Sequence, residues 1–172
     1  MHRLQGGRVM ARLVTVKKSG RVPNILRHTA NDVLITDANR IVAKFRARAT
    51  LYMKDAVGLA GNQVGMKENI FMAKVLPYSH YTRPFKIFVN ATTVSVSLYE
   101  SGNFVESCLS IPGQSYNVVR PNEITIRYLD YAGMVEVEET YSGLDARIIQ
   151  HEMDHLAGVL ISDKEKEYNS EK

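Results

Sequence analysis

A single cysteine, Cys108, stands in a chain of 172 residues, so no internal disulfide is possible. A lone thiol fits a reducing compartment, where it is a metal ligand, a nucleophile or a small buried hydrophobe. No apolar run approaches the roughly eighteen residues that a membrane-spanning helix needs, and the N-terminus lacks the apolar stretch of a secretory signal. A soluble, unexported protein with no membrane partner is the expectation. Internal repeats and low-complexity tracts are also lacking.

Acidic residues are absent from the first 31 positions, which hold Arg3, Arg8, Arg12, Lys17, Lys18, Arg21 and Arg27 of the 22 Lys and Arg. The remainder carries 15 basic against 18 acidic residues, so the formal charge of +4 belongs to the lead segment. That distribution argues against a sequence-specific nucleic-acid binder. Three readings fit the lead: a solvated arm, a transit peptide for mitochondrion or plastid, or an over-long start ahead of Met10. No serine precedes Ser19, which weakens the transit reading. A cytoplasmic location is expected, that of the host if the chain is viral.

With 45% hydrophobic residues, the length suits one core, read as one domain over 1–172 with 1–10 as an extension and 164–172 as a charged tail. After Thr36-Asp37, a candidate N-cap, Ile41, Val42, Phe45, Ala49, Tyr52, Met53 and Ala56 recur at helical spacing, predicting an amphipathic helix that stops near Gly58. Strand-like runs follow at Ile70–Leu76, Phe85–Asn90, Thr93–Tyr99, Tyr116–Val119 and Glu123–Leu129. Asp130 to Gly133 reads as a hairpin connection into Met134–Glu138. Ser142 or Gly143 opens a second helix through His155, Val159–Ile161 reads as a short strand, and Asp163–Lys172 reads as a frayed end. The order predicts an α+β fold in which antiparallel sheets wrap a central helix, with an amphipathic helix ahead of them.

That central helix carries His151-Glu152-Met153-Asp154-His155. Residues four apart share a helix face, so His151 and His155 can point at one cation while Glu152 faces its open position. The extended protease motif ending in a third histidine is disfavoured, because Ile161 stands there. Only 17 residues follow His155, too few and too polar for a further ligand-bearing helix, so the third ligand lies upstream, where Cys108 is. Two imidazoles and a thiolate leave the fourth position for water, as catalytic sites require, and Glu152 is placed to take its proton. The plainer readings are a solvated helix face for the histidines and an inert core residue for Cys108. Asp154 is read as orienting a ligand histidine or capping a backbone group.

Three separated segments resemble the peptide deformylase family, whose members remove the N-formyl group from the initiator methionine of nascent chains. Ala56 to Gln63 resembles its GxGxAAxQ, Glu106 to Ser110 its EGCLS, and Gln150 to Leu156 its QHExDHL. The resemblance implies Cys108, His151 and His155 as ligands, Glu152 as acid and base, and Gln63 with the Leu109 N–H as an oxyanion hole. It implies one divalent ion, iron(II), although this donor set also accepts zinc, nickel or cobalt. Gly58 is expected to let a substrate backbone approach, and Leu144 and Ile148, with Val57, to line a slot for the methionine side chain.

Ala56, Gly61 and Ser107 depart from the family pattern, and Gly61 is expected to slacken Gln63. Ser115 stands where many bacterial members place an arginine that helps hold the peptide. N-formylmethionyl peptides are the implied substrates, the ribosome a candidate partner through the basic lead, and a monomer the expected state. The rival readings are a metallo-amidase or peptidase for another N-acyl group, and a ribosome-associated binding module with a degenerate site.

Overall fold

The computed structural model describes residues 12–75, 85–132 and 134–170. The expected extension 1–10, Leu76, Gly133 and the last two residues of the tail lie outside the described residues.

Helix α1 spans Ala38–Ala49 and buries Ile41, Val42, Phe45 and Ala49, the face the periodicity marks. Asp37 takes the N-cap position without a side-chain cap, its carboxylate accepting instead from Arg40 Nη2 at 2.9 Å. The helix ends at Ala49, well before Gly58. Thr50 Oγ1 donates back to the Arg46 carbonyl at 2.7 Å, Tyr52 N–H closes a tighter turn onto Ala49, and Leu51 is left exposed, so further helix would bury little.

Five antiparallel strands form the main sheet, in the order β1 (Gly58–Ala60), β2 (Ile70–Lys74), β3 (Phe85–Val96), β6 (Glu123–Asp130) and β7 (Val135–Ser142). Alternation assigns its two faces. Ile70, Met72, Ile87, Val89 and Leu129 pack towards α1. Phe71, Ala73, Phe88, Ile126 and Tyr128 pack against the second helix, α2 (Gly143–Leu156), through Ala146, Ile148, Ile149 and Leu156. Phe71 and Phe88 stack at 4.6 Å between ring centroids on that side.

The two runs read as Phe85–Asn90 and Thr93–Tyr99 are one strand, β3, interrupted by a register shift between Val89 and Thr92. Asn90, at φ 53, absorbs the irregularity, and its amide exchanges two 2.7 Å hydrogen bonds with the backbone of Val33. A strand absent from the sequence reading, β4 (Glu100–Ser107), pairs with β5 (Ser115–Pro121) as a separate two-stranded sheet. The expected short strand Val159–Ile161 and frayed end are replaced by helix α3 (Ile161–Ser170). Gly158 makes that turn possible: it sits at φ 76, and a Cβ there would lie 2.6 Å from the Arg27 carbonyl oxygen. Asp163 then accepts from Leu160 N–H at 2.9 Å and pairs with Arg27, while Leu160 and Ile161 join Leu26, Ile111 and Val118 in a third apolar cluster.

Candidate active site

Helix α2 packs its apolar residues on the sheet and brings His151 to Glu106 of β4, His155 to Cys108 just beyond that strand, and Glu152 to Gly58 of β1. There the chain leaves β4 at Ser107 and turns, Ile111 N–H donating to the Cys108 carbonyl at 2.9 Å. The Cys108 sulfur lies 3.1 Å from His155 Nε2. Ligand atoms of Cys108, His151 and His155 all lie within 4.8 Å of one another. Donor atoms around one tetrahedral ion sit about 3.5 Å apart, so side-chain movement of about 1 Å closes the set. Among the described residues this is the one such cluster of three or more His, Cys, Asp or Glu.

Protonation also suits metal binding. Burial, with positive charge at His151 and Arg120, holds His155 well below the usual histidine range, leaving it neutral and able to ligate. His151 Nδ1 lies 2.9 Å from Glu106 Oε2, which reserves Nε2 for an ion. Burial opposes charge on this imidazole, but the Cys108 sulfur and Glu106 push it up to about 10, so cation binding releases a proton.

Glu106 is the hub of an ion network that sequence reasoning missed. Arg120 donates to it through Nε at 2.7 Å and Nη2 at 3.0 Å, and Arg147 through Nη1 at 2.6 Å. Burial works to raise the Glu106 carboxyl, yet His151 and Arg120 hold it well below the usual range. Arg120 Nη1 also donates to Asp154 at 2.7 Å. Asp154 therefore reaches His151 only through Arg120 and Glu106, and the carboxylate touching a histidine is Glu106. Arg120 is 3% exposed, and nothing in the local sequence of β5 marks it as buried.

Glu152 is buried, and burial pushes its carboxyl up to about 7 against the pull of His151 and Arg120. Its Oε2 has no hydrogen-bond partner among the described residues. Gly58 lies against this carboxylate: a Cβ there would fall 2.7 Å from Glu152 Cδ and 2.8 Å from Cγ. The bare backbone at Gly58 thus makes room for Glu152, a constraint additional to the one expected of it. Gln63, in a 3-10 turn after β1, is hydrogen-bonded at both ends of its amide. Its Oε1 accepts from Ala60 N–H at 2.8 Å, and its Nε2 lies 3.1 Å from Ser110 Oγ and 3.6 Å from the Cys108 sulfur.

Cys108, His151, Glu152, Gln63 and Gly58 share the wall of one cavity of about 810 Å³, lined also by Ala56, Val57, Leu109, Ser115, Leu144 and Ile148. Every residue singled out from the sequence for catalysis or substrate contact therefore borders it, His155 lying just behind with 1% exposure. Ile148 is buried, while Val57 and Leu144 stand at the open side, 58% and 56% exposed.

A cysteine sulfur and two helix-borne imidazoles beside a buried carboxylate, set between antiparallel sheets, mark a metal-dependent hydrolase. Comparison with known proteins makes the class specific. The polypeptide deformylase family model matches residues 10–171. A peptide deformylase of Prochlorococcus marinus (strain NATL2A) is 38% identical over 140 residues, covering 81% of this chain and 67% of that protein. The Plasmodium falciparum peptide deformylase structure superposes with a TM-score of 0.74 at 30% identity, covering 93% of this chain and 89% of that one. A Met-Ala-Ser-bound class I type b peptide deformylase of Acinetobacter baumannii gives 0.73 at 26% identity, covering 90% and 99%. The chain belongs to the polypeptide deformylase family. Neither the other-acyl amidase nor the degenerate binding module finds support in these matches.

Proposed function

We propose that this protein hydrolyses the N-formyl group of formylmethionyl peptides, with Cys108, His151 and His155 holding one divalent cation and Glu152 moving the proton. The convergence of Cys108, His151, Glu152 and Gln63 on a single cavity, with His155 buried against the Cys108 sulfur, carries the reading. When bound, the cation acidifies a water towards neutrality and polarises the formyl oxygen. Glu152, kept close to neutrality by burial, takes the water proton and returns it to the amine as the C–N bond breaks and formate leaves. Gln63 Nε2 and the Leu109 N–H stabilise the oxygen as charge develops on it, and removing one such donor costs about 3–4 kcal/mol of barrier. Leu144, Ile148 and Val57 supply apolar wall for the methionine side chain, and the Acinetobacter relative binds Met-Ala-Ser.

Iron(II) is the ion we assign, the soft thiolate with two imidazoles being compatible with it, and metal analysis after anaerobic purification tests the assignment. Formyl-Met-Ala-Ser hydrolysis, followed by formate release, tests the activity. Glu152→Ala should keep its metal and lose turnover, and a fully active variant places the base elsewhere. Acetyl-Met-Ala-Ser should be a far poorer substrate, and equal rates would point to a general amidase. We assign ribosome contact to the basic lead on charge alone. Undiminished binding to purified ribosomes after deletion of the first ten residues and neutralisation of Lys17 and Lys18 would refute it.

A further inference from the structure

Ser110 is fully buried, two residues beyond Cys108 and inside the turn that Ile111 N–H closes onto the Cys108 carbonyl. Its neighbour is Gln63, and the two are framed by the same stretch of chain. Val14 N–H donates to the Gln63 carbonyl and Val16 N–H to the Ser110 carbonyl, each at 2.8 Å. Backbone thus fixes where both residues start. The side chains then meet at 3.1 Å, Gln63 Nε2 donating to Ser110 Oγ.

A primary amide has two donor hydrogens on nitrogen, and its terminal torsion is broad, so one anchor leaves it free to pivot. Ala60 N–H, donating to Oε1, decides which end of the amide is nitrogen. It does not fix the plane. The bond to Ser110 Oγ does, because it commits one hydrogen of Nε2 and turns the other towards the Cys108 sulfur, 3.6 Å away on the side of the metal ligands. A buried side chain at this position needs no hydroxyl for packing, and among the described residues Gln63 is the partner this one has.

The geometry points to Ser110 as a positioning residue for the oxyanion hole: its hydroxyl oxygen takes one Gln63 amide hydrogen and thereby holds the other on the metal-ligand side, beside the Cys108 sulfur, where a formyl oxygen would receive it. This rests on the function proposed above, with Gln63 as the oxyanion donor. Deleting the hydroxyl leaves the amide present but unaimed, so the loss falls on kcat while KM stays near its original value.

The test is a double-mutant cycle on metal-loaded protein with formyl-Met-Ala-Ser, with metal content and melting temperature measured on each variant. Ser110→Ala should lower kcat about tenfold. In a Gln63→Ala background the same change should cost nothing further. Full kcat in Ser110→Ala beside a crippled Gln63→Ala overturns the positioning role alone, as does an equal loss in both backgrounds or a loss explained by missing metal. A fully active Gln63→Ala overturns the oxyanion assignment and this inference with it. Should Ser110→Ala not fold, Ser110→Cys keeps the volume with a poor acceptor and is read by the same criteria.

Discussion

Adding one methyl group at Gly58 should disable the enzyme without replacing any group that reacts. An alanine Cβ at this position would sit 2.7 Å from Glu152 Cδ and 2.8 Å from Cγ, and closer still to Oε1. Ordinary contact begins near 3.4 Å. The carboxylate must therefore retreat by about 1 Å, and displacement of that size at a reacting group costs about a hundredfold in rate. Glu152 is only 4% exposed, so it has little free space into which to swing. Overpacking of this kind also costs about 1–3 kcal/mol of stability, which a urea melt will register. The assay is steady-state hydrolysis of formyl-Met-Ala-Ser by Gly58→Ala, with bound metal quantified on the same sample. Retained metal with kcat down about a hundredfold is the expected result. A folded, metal-loaded Gly58→Ala with unreduced kcat would refute the placement of the base.

Three further outcomes follow from other parts of the molecule. Glu106→Gln leaves the buried Arg120 and Arg147 without their shared counter-charge and should cost about 3–5 kcal/mol in denaturant unfolding, a loss under 1 kcal/mol counting against the network. Ser107 and Ser115 share a 2.8 Å hydroxyl contact and Ser115 borders the cavity, so Ser115→Arg should lower KM for formyl peptides bearing an acidic third residue about fivefold while leaving neutral ones unchanged. Burial raises the Glu139 carboxyl, but Lys86, Tyr141 and Tyr128 outweigh it and hold it below its ordinary 4.5. A depressed folded value means stability present above pH 4.5 and lost as pH falls through that lower value. Glu139 is 43% exposed, so the contribution is below about 1 kcal/mol. Glu139→Gln should melt below the parent at neutral pH and level with it in strong acid, and a gap that persists in acid would contradict the assignment.

Much of the site was legible because helical geometry is local. The four-residue step from His151 to His155, with Glu152 beside it, fixes directions once the segment is helical, and apolar residues at Ile148, Ile149 and Leu156 assured that it would be. Cys108 was reached by elimination of downstream ligands, whereas Gln63 depended on motif resemblance, since no periodicity links segments so far apart. What escaped reading was set by tertiary contacts. Glu100–Ser107 alternates poorly and is a strand because β5 pairs with it. Asp163 to Ser170 looks like a polar end, but the turn at Gly158 and the Arg27–Asp163 pair seat it as α3. Asn90 carries β3 through a bulge that reads as a strand break. Glu106, Arg120 and Arg147 are ordinary surface residue types, and nothing local announces that all three are buried together.

The central claim is that one ion is gripped by a sulfur and two ring nitrogens beside Glu152. Anaerobic titration of the metal-free protein with cobalt(II), read by thiolate-to-cobalt charge-transfer absorption, tests it directly. The account predicts a band that saturates at one ion per chain, disappears in Cys108→Ser and survives in Glu152→Ala. A band unchanged by Cys108→Ser, or no band from protein that still deformylates, would contradict it.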